Sequence, residues 1–506
     1  MISNRSPYNA ADQYLQLLAN DQDMRASLLA CSAGLSLDDE VASEAIEVVL
    51  PQAAQTEDIL ARIKRLGCVS HNWDGSWRIS EDVRVGLADL LRQQVPTDRL
   101  VEIRTRLASK AEHKATSLSP DGQITNYRVR EARFQAAYQK LLMPGRIEEG
   151  AQLCAEIWRQ ASTDAREATC SAADYVSDEV QRQVKELPPE LLFLKGMAAR
   201  ARGDRNGARE YFHLVWKQGR PGDIFAIAAH LFANVSPDRE RAERALRDSL
   251  QWYDDRAHQG QVWHSLGNLL SRQSSRRNEA EEAYLKSIQL LHDSADKGQV
   301  WHSLGNLLSR QSPRWKEAEE AYRTSLQLWH DLFHQGQVWH SLGNLLSRQS
   351  PRWKEAEEAY RESLQLRHDP ADQAQVWHSL GNLLSRQSPR WNEAEEAYQE
   401  SLQLRHDPAH QGQVYSSWAG AIVANRPVDE YEEAEEYAKL SLSLLARDLR
   451  AQSTVNGILA RLYEAKGQYS QAIAALTAAI EADERPKNLK QVRQRQQHLE
   501  ELRRKI

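Results

Sequence analysis

Apolar and polar positions along this chain repeat with two nested periods. Between Gly260 and Gln411 the longer period is 38 residues: Gly260, Gly298, Gly336 and Ala374 each open a segment of nearly the same sequence. The units are 260–297, 298–335, 336–373 and 374–411, and the second and third are identical at 33 of 38 positions. Inside each unit the shorter period is that of an α-helix. In the second unit Trp301, Leu304, Gly305 and Leu308 fall on one helical stripe. The break Ser312-Pro313-Arg314 follows, where Pro disfavours continuation of the helix. Ala318, Ala321, Tyr322, Ser325 and Leu326 then mark a second stripe. The pattern predicts a helical hairpin in which Gly305 and Ala318 let the two helices cross closely. A hairpin repeated at fixed period predicts an array whose units each pack on their neighbours.

The motif W-x2-L-G-x2-L, followed by Ala and Tyr four residues apart, resembles the tetratricopeptide (TPR) repeat. The unit here is longer than the usual 34 residues, and the Pro that ordinarily ends the second helix is displaced to Pro370 and Pro408. The resemblance implies an all-α solenoid wound as a right-handed superhelix, with the first helix of each pair lining a concave groove. Trp263, Trp301, Trp339 and Trp377 are expected in its core, and Trp315, Trp353 and Trp391 at the inter-helix turn.

Outside the four copies the pattern loosens. Gly196, Gly203, Ala208 and Phe212 stand at ordinary TPR spacing, 223–259 is a divergent copy, 412–451 another, and 457–482 a last ordinary one. The predicted organisation is an N-terminal arm (1–20), a small domain (21–95), a helical linker with a degenerate TPR-like hairpin (96–187), repeats (188–485) and a charged, solvated capping helix (486–506). The segment 117–123, SLSPDGQ, reads as the clearest loop.

In the small domain, Arg25–Ala33, Leu37–Leu50 and Thr56–Leu66 read as helices. Val69, His71 and Trp73 alternate before a tight turn at Asp74-Gly75, Trp77 and Ile79 lead out, and Ser80 caps the helix Glu81–Leu91. The order and the residues Ile59, Ile63, Gly67, Val69, Asp74, Gly75, Trp77, Arg78, Ile79, Arg84 and Leu87 resemble the winged-helix domain beside the ATPase module of STAND-type signalling NTPases. The ATPase is missing: no G-x-x-x-x-G-K-(S/T) occurs.

Composition narrows the function classes. A net charge of −6 and mean hydropathy of −0.67 give no global drive toward nucleic acid or anionic membrane. No run of 18 apolar residues occurs, the first residues lack the apolar core of a secretion signal, and the cytoplasm is expected. Cys31, Cys68, Cys154 and Cys170 have no metal or disulfide spacing. No motif for acyl transfer or zinc hydrolysis is present, so neither an enzyme nor a cofactor is expected.

The candidate site is the polar face of the first helix. Gln299, His302, Asn306, Ser309 and Arg310 recur as Gln261, His264, Asn268, Ser271 and Arg272, as Gln337, His340, Asn344, Ser347 and Arg348, and as Gln375, His378, Asn382, Ser385 and Arg386. All are expected to be exposed. The Asn resembles the one TPR proteins use to hold a peptide backbone, and Arg favours carboxylates. The alternative is a solvated face that recent duplication has copied intact. His292, His330, His368 and His406 at the end of the second helix are too widely spaced for a metal site. In the head, Arg62, Lys64 and Arg65 fall on the expected recognition helix, followed by Arg78 and Arg84, but Asp38, Asp39, Glu40, Glu44, Glu47, Glu57 and Asp58 crowd nearby and would repel phosphate. The first reading is a non-enzymatic adaptor that binds a protein or peptide in its groove, as a subunit of a bacterial signalling or defence complex. The second is a peptide-sensing transcription regulator with a DNA-binding winged helix. Oligomeric state is left open.

Overall fold

The computed structural model describes residues 7–51, 56–72, 76–120, 126–349, 351–387, 390–484 and 489–504. Helices make up 79% of the fold, 26 in number among the described residues, and the chain packs as two compact units, 1–254 and 255–506.

The first unit opens with α1 (Pro7–Leu17), α2 (Gln22–Cys31), α3 (Asp39–Val49) and α4 (Thr56–Ile63). Strands β1 (Val69–His71) and β2 (Trp77–Ile79) pair antiparallel in the register Val69↔Ile79, Ser70↔Arg78, His71↔Trp77. Leu37 bridges to Trp77 from the other side. Then come α5 (Glu81–Gln94) and the long α6 (Thr97–Leu118). The expected turn at Asp74-Gly75, with Trp73, lies outside the described residues, as do 121–123 of the expected loop.

Several boundaries in the head differ from the sequence pattern, α2 and α5 by two or three residues at their ends and three others as follows. The segment expected as an arm contains α1, whose Ala11 and Leu15 are buried in the head's core. Helix α3 is capped by Asp38, which accepts from the Val41 amide at 2.9 Å, so it starts two residues later than the expected Leu37. Helix α4 stops at Ile63, three residues short of the expected end, and leaves Lys64 and Arg65 in the turn.

The unit continues with α7 (Tyr127–Leu141), α8 (Ile147–Gln160), α9 (Thr163–Gln181), α10 (Pro189–Ala201), α11 (Arg205–Trp216), α12 (Asp223–Val235) and α13 (Arg239–Trp252). A buried polar network ties this part to the head. Arg84, on α5 and 1% exposed, donates to the Tyr138 hydroxyl on α7 at 2.6 Å and pairs with Glu179 on α9 at 3.3 Å. Burial opposes the charge on Glu179, but Arg84, Arg104 and Arg92 outweigh it and hold the carboxyl below its ordinary range.

The second unit is a run of hairpins: α14 (Arg256–Leu270) with α15 (Arg277–Leu290), α16 (Ser294–Leu308) with α17 (Trp315–Leu328), α18 (Leu332–Leu346) with α19 (Trp353–Leu366), and α20 (Pro370–Leu384) with α21 (Trp391–Leu404). α22 (Pro408–Asn425) with α23 (Tyr431–Leu444) and α24 (Leu449–Ala465) with α25 (Tyr469–Glu484) follow, and α26 (Leu489–Arg503) closes the unit. Each first helix packs mainly on its own second helix, which in turn packs on the next first helix.

The close crossing is built as the small residues imply. A Cβ at Gly305 would lie 2.6 Å from the Tyr322 ring, so only glycine admits that ring. One turn on, the buried Ser325 hydroxyl donates to the Gly298 carbonyl at 2.7 Å. The same bond joins Ser287 to Gly260, Ser363 to Gly336 and Ser401 to Ala374.

The Trp ladder does not sit where it was expected. Trp263, Trp301, Trp339 and Trp377 are only half-buried, and the fully buried places go to their neighbours Val262, Val300, Val338 and Val376, each 0% exposed. The indole is too large to be covered completely at a two-helix seam. At Trp263 its open face carries the Lys286 ammonium, 4.6 Å from the ring centre.

Candidate functional site

The polar face of α14, α16, α18 and α20 is a network as well as a surface. Tyr322, 1% exposed, donates its hydroxyl to Asn306 Oδ1 at 2.8 Å. Tyr284 does the same to Asn268, Tyr360 to Asn344 and Tyr398 to Asn382, all at 2.8 Å. Burial pushes the Tyr322, Tyr360 and Tyr398 hydroxyls up to about 12, so they remain donors. Each Asn therefore has its amide oriented from below by a tyrosine.

The histidines link one repeat to the next. His264 Nε2 lies 2.9 Å from Ser303 Oγ, and the same distance separates His302 from Ser341, His340 from Ser379 and His378 from Ser417. Ser341 and Ser379 give their own protons to the carbonyls of Gln337 and Gln375. His302 and His340 must then donate from Nε2, which fixes the neutral tautomer. Burial holds His264, His302, His340 and His378 down to about 4.

Exposure on this face is graded, contrary to a uniformly exposed set. Gln299, Gln375, Arg272, Arg310, Arg348 and Arg386 are exposed. His264, His302, His378 and the four asparagines are half-buried, and His340 and Ser385 are buried. The histidines and asparagines sit low because they carry the inter-repeat and tyrosine bonds. Asn306, Arg310, Asn344 and Arg348 come together around one depression of ≈ 160 Å³, with Tyr322 at its floor. The seam serines and the tyrosine row are the parts that sequence reasoning missed. Both recur every 38 residues, but nothing in a one-dimensional pattern pairs residue i with i+16 or i+39.

The other candidates lie apart. His292, His330, His368 and His406 are exposed just past their helices, and no three metal-ligating side chains converge among the described residues. Trp315 and Trp353 are half-buried and Trp391 is buried at the start of the second helix. In the head, Arg62 pairs with Asp21 and Lys64 with Asp39, while Arg65 is exposed in the turn. Arg84, grouped with the wing by sequence, is buried in the network and cannot reach a phosphate.

Helical hairpins with a Gly–Tyr crossing, repeated at fixed spacing, define a helical-repeat protein. Models of the tetratricopeptide repeat match residues 338–374, 376–412 and 454–486, so the chain contains TPR repeats. No curated protein matches the chain. Among solved structures it is similar to Pseudomonas aeruginosa pilF, at 21% identity over 48% of this chain and 100% of that one, with a TM-score of 0.34. It is also similar to YrrB, described as a TPR protein with an unusual peptide-binding site (17% identity, 40% of this chain, 95% of that one, TM-score 0.29). A third is the C-terminal part of a TPR repeat-containing protein from Cytophaga hutchinsonii (12% identity, 56% and 97% coverage, TM-score 0.35). No described helix is long and apolar enough to cross a membrane.

Proposed function

We propose that this protein is a non-enzymatic adaptor that holds an extended segment of a partner protein against the face of α14, α16, α18 and α20. The carrying observation is the row of four asparagines whose Oδ1 atoms are all engaged by buried tyrosines. At Asn306, Asn344 and Asn382 an amide fixed in this way keeps its N–H donors for a partner's backbone carbonyls, whereas at Asn268 the Nδ2 group lies 3.3 Å from His264 Nε2. Preorganised donors lose little entropy on binding. The head is read as a winged helix, from α2, α3 and α4, an antiparallel strand pair and the closing α5 in that order, with α1 added to the core. It is a protein-docking rather than a DNA-binding one, because Arg62 and Lys64 are already neutralised within the chain and Arg84 is buried.

The test keeps the fold and removes the donors. Random peptides displayed on phage are selected on the full chain, and binders are remeasured on Asn306→Asp/Asn344→Asp/Asn382→Asp. Asp retains the oxygen that the tyrosine needs. Binding should weaken by roughly 1.5–4.5 kcal/mol if three hydrogen bonds are lost additively. Selected peptides that bind the triple variant as well as the parent would place the interface elsewhere.

A further inference from the structure

Two arginine positions recur in every copy of the repeat, Arg272/Arg310/Arg348/Arg386 and Arg276/Arg314/Arg352/Arg390. Arg314, Arg352 and Arg390 each pair with a glutamate of the preceding repeat and another of their own. Arg272, Arg310, Arg348 and Arg386 are exposed and make no ion pair among the described residues. Segments 260–272, 298–310, 336–348 and 374–386 contain no Asp or Glu. On a chain of net charge −6 these four cations are thus left uncompensated on one face.

They also follow one another from repeat to repeat, Arg310 and Arg348 lining the same depression. The Tyr284 hydroxyl feels the charges of Arg272 and Arg310, Tyr322 those of Arg310 and Arg348, and Tyr360 those of Arg348 and Arg386. Arginine rungs therefore alternate with the Asn–Tyr pairs, and the depression between Arg310 and Arg348 is one such interval. Successive first helices touch through the His–Ser bonds, which sets the rung spacing near the helix packing distance of roughly 8–10 Å. An extended peptide advances about 3.3 Å per residue, so one rung corresponds to about three residues.

We infer that the partner segment is an extended acidic peptide carrying a carboxylate at about every third residue, one for each arginine rung. The inference rests on the peptide-binding reading above and adds the chemistry and period of the ligand. A peptide suits the face better than a nucleic acid, because the tyrosines of the row are buried and offer no surface on which bases stack.

Three synthetic 12-residue peptides are titrated into the full-length protein by fluorescence anisotropy: Glu at every third position, the same composition with Glu at every second position, and an uncharged analogue with Gln for Glu. A single-stranded 12-mer oligonucleotide is the fourth probe. The three-residue period should bind at least about tenfold tighter than the two-residue permutation, the worth of one charge-assisted bond. Arg310→Gln/Arg348→Gln should abolish that preference and flatten the salt dependence. Equal binding by the two acidic peptides, or equal binding by the Gln analogue, overturns the inference and leaves the adaptor reading intact. Tighter, Arg-dependent binding of the oligonucleotide overturns it as well. If no peptide binds and Asn306→Asp/Asn344→Asp/Asn382→Asp changes no selected binder, both readings fall.

Discussion

Asn344 shows how one residue can serve both fold and surface. Its Oδ1 accepts from Tyr360, a side chain 1% exposed, so Asn344→Ala leaves a buried hydroxyl without that partner. The cost should be about 1–3 kcal/mol, read from urea unfolding, whereas Asn344→Asp should stay close to the parent. Equal stability of the Ala variant and the parent would show that the bond is not made in solution. The sequence pattern treats this position as solvated, since an isolated polar residue at helical spacing looks the same whether or not a tyrosine lies beneath it. Gly343 was legible by contrast. A small residue in an apolar stripe announces a close approach, and here a Cβ would stand 2.7 Å from the Tyr360 ring. Gly343→Ala should therefore destabilise by about 1–3 kcal/mol, although Ala is the better helix former. Trp339 misled for the opposite reason: the largest apolar residue draws the eye, yet the central place belongs to Val338.

At the scale of elements, the seam between successive first helices rests on histidines held neutral. Their folded value of about 4 lies below the ordinary value of 6.5, so the unfolded chain binds more protons between these limits. Their stabilisation is complete above about pH 6.5 and falls away as the pH drops toward 4. For the buried His340 the loss is at most about 3 kcal/mol, and less for the half-exposed members. Urea midpoints measured from pH 7 to pH 5 should fall in the parent and fall less in His302→Gln/His340→Gln. A flat profile in the parent would contradict the buried seam. The start of each first helix is fixed differently, by an Asp whose side chain accepts an amide three residues on: Asp293, Asp331, Asp369 and Asp407. Asp369→Ala should cost about 0.5–2 kcal/mol, the ordinary value of such a cap. Helix existence and the hairpin order were readable from period alone. Helix starts were not, because an Asp eight residues upstream of the apolar stripe, as Asp293 is of Trp301, reads equally well as loop.

At the scale of the whole molecule, an array of hairpins distributes its stability along the chain, and its ends need separate protection. The tail reads from sequence as a charged, solvated helix, and most of its surface fits that description. Its inner face does not: Val492, Leu499 and Leu502 are buried in the terminal core with Leu459, Leu476 and Ile480. Arg495 fastens the same face, donating to Ser453 Oγ at 2.8 Å and to the Ala479 carbonyl at 3.1 Å, and pairing with the buried Asp483 at 3.0 Å. A stop codon at Leu489 would strip these contacts and leave Asp483 buried without its cation. The damage should stay local, because each hairpin contacts only its neighbours. Hydrogen exchange on the truncated chain should show protection lost across 449–484 and kept across 298–384. Loss spread evenly over the array would mean that the repeats fold as one cooperative block, and that α26 guards the entire second unit rather than its last hairpin.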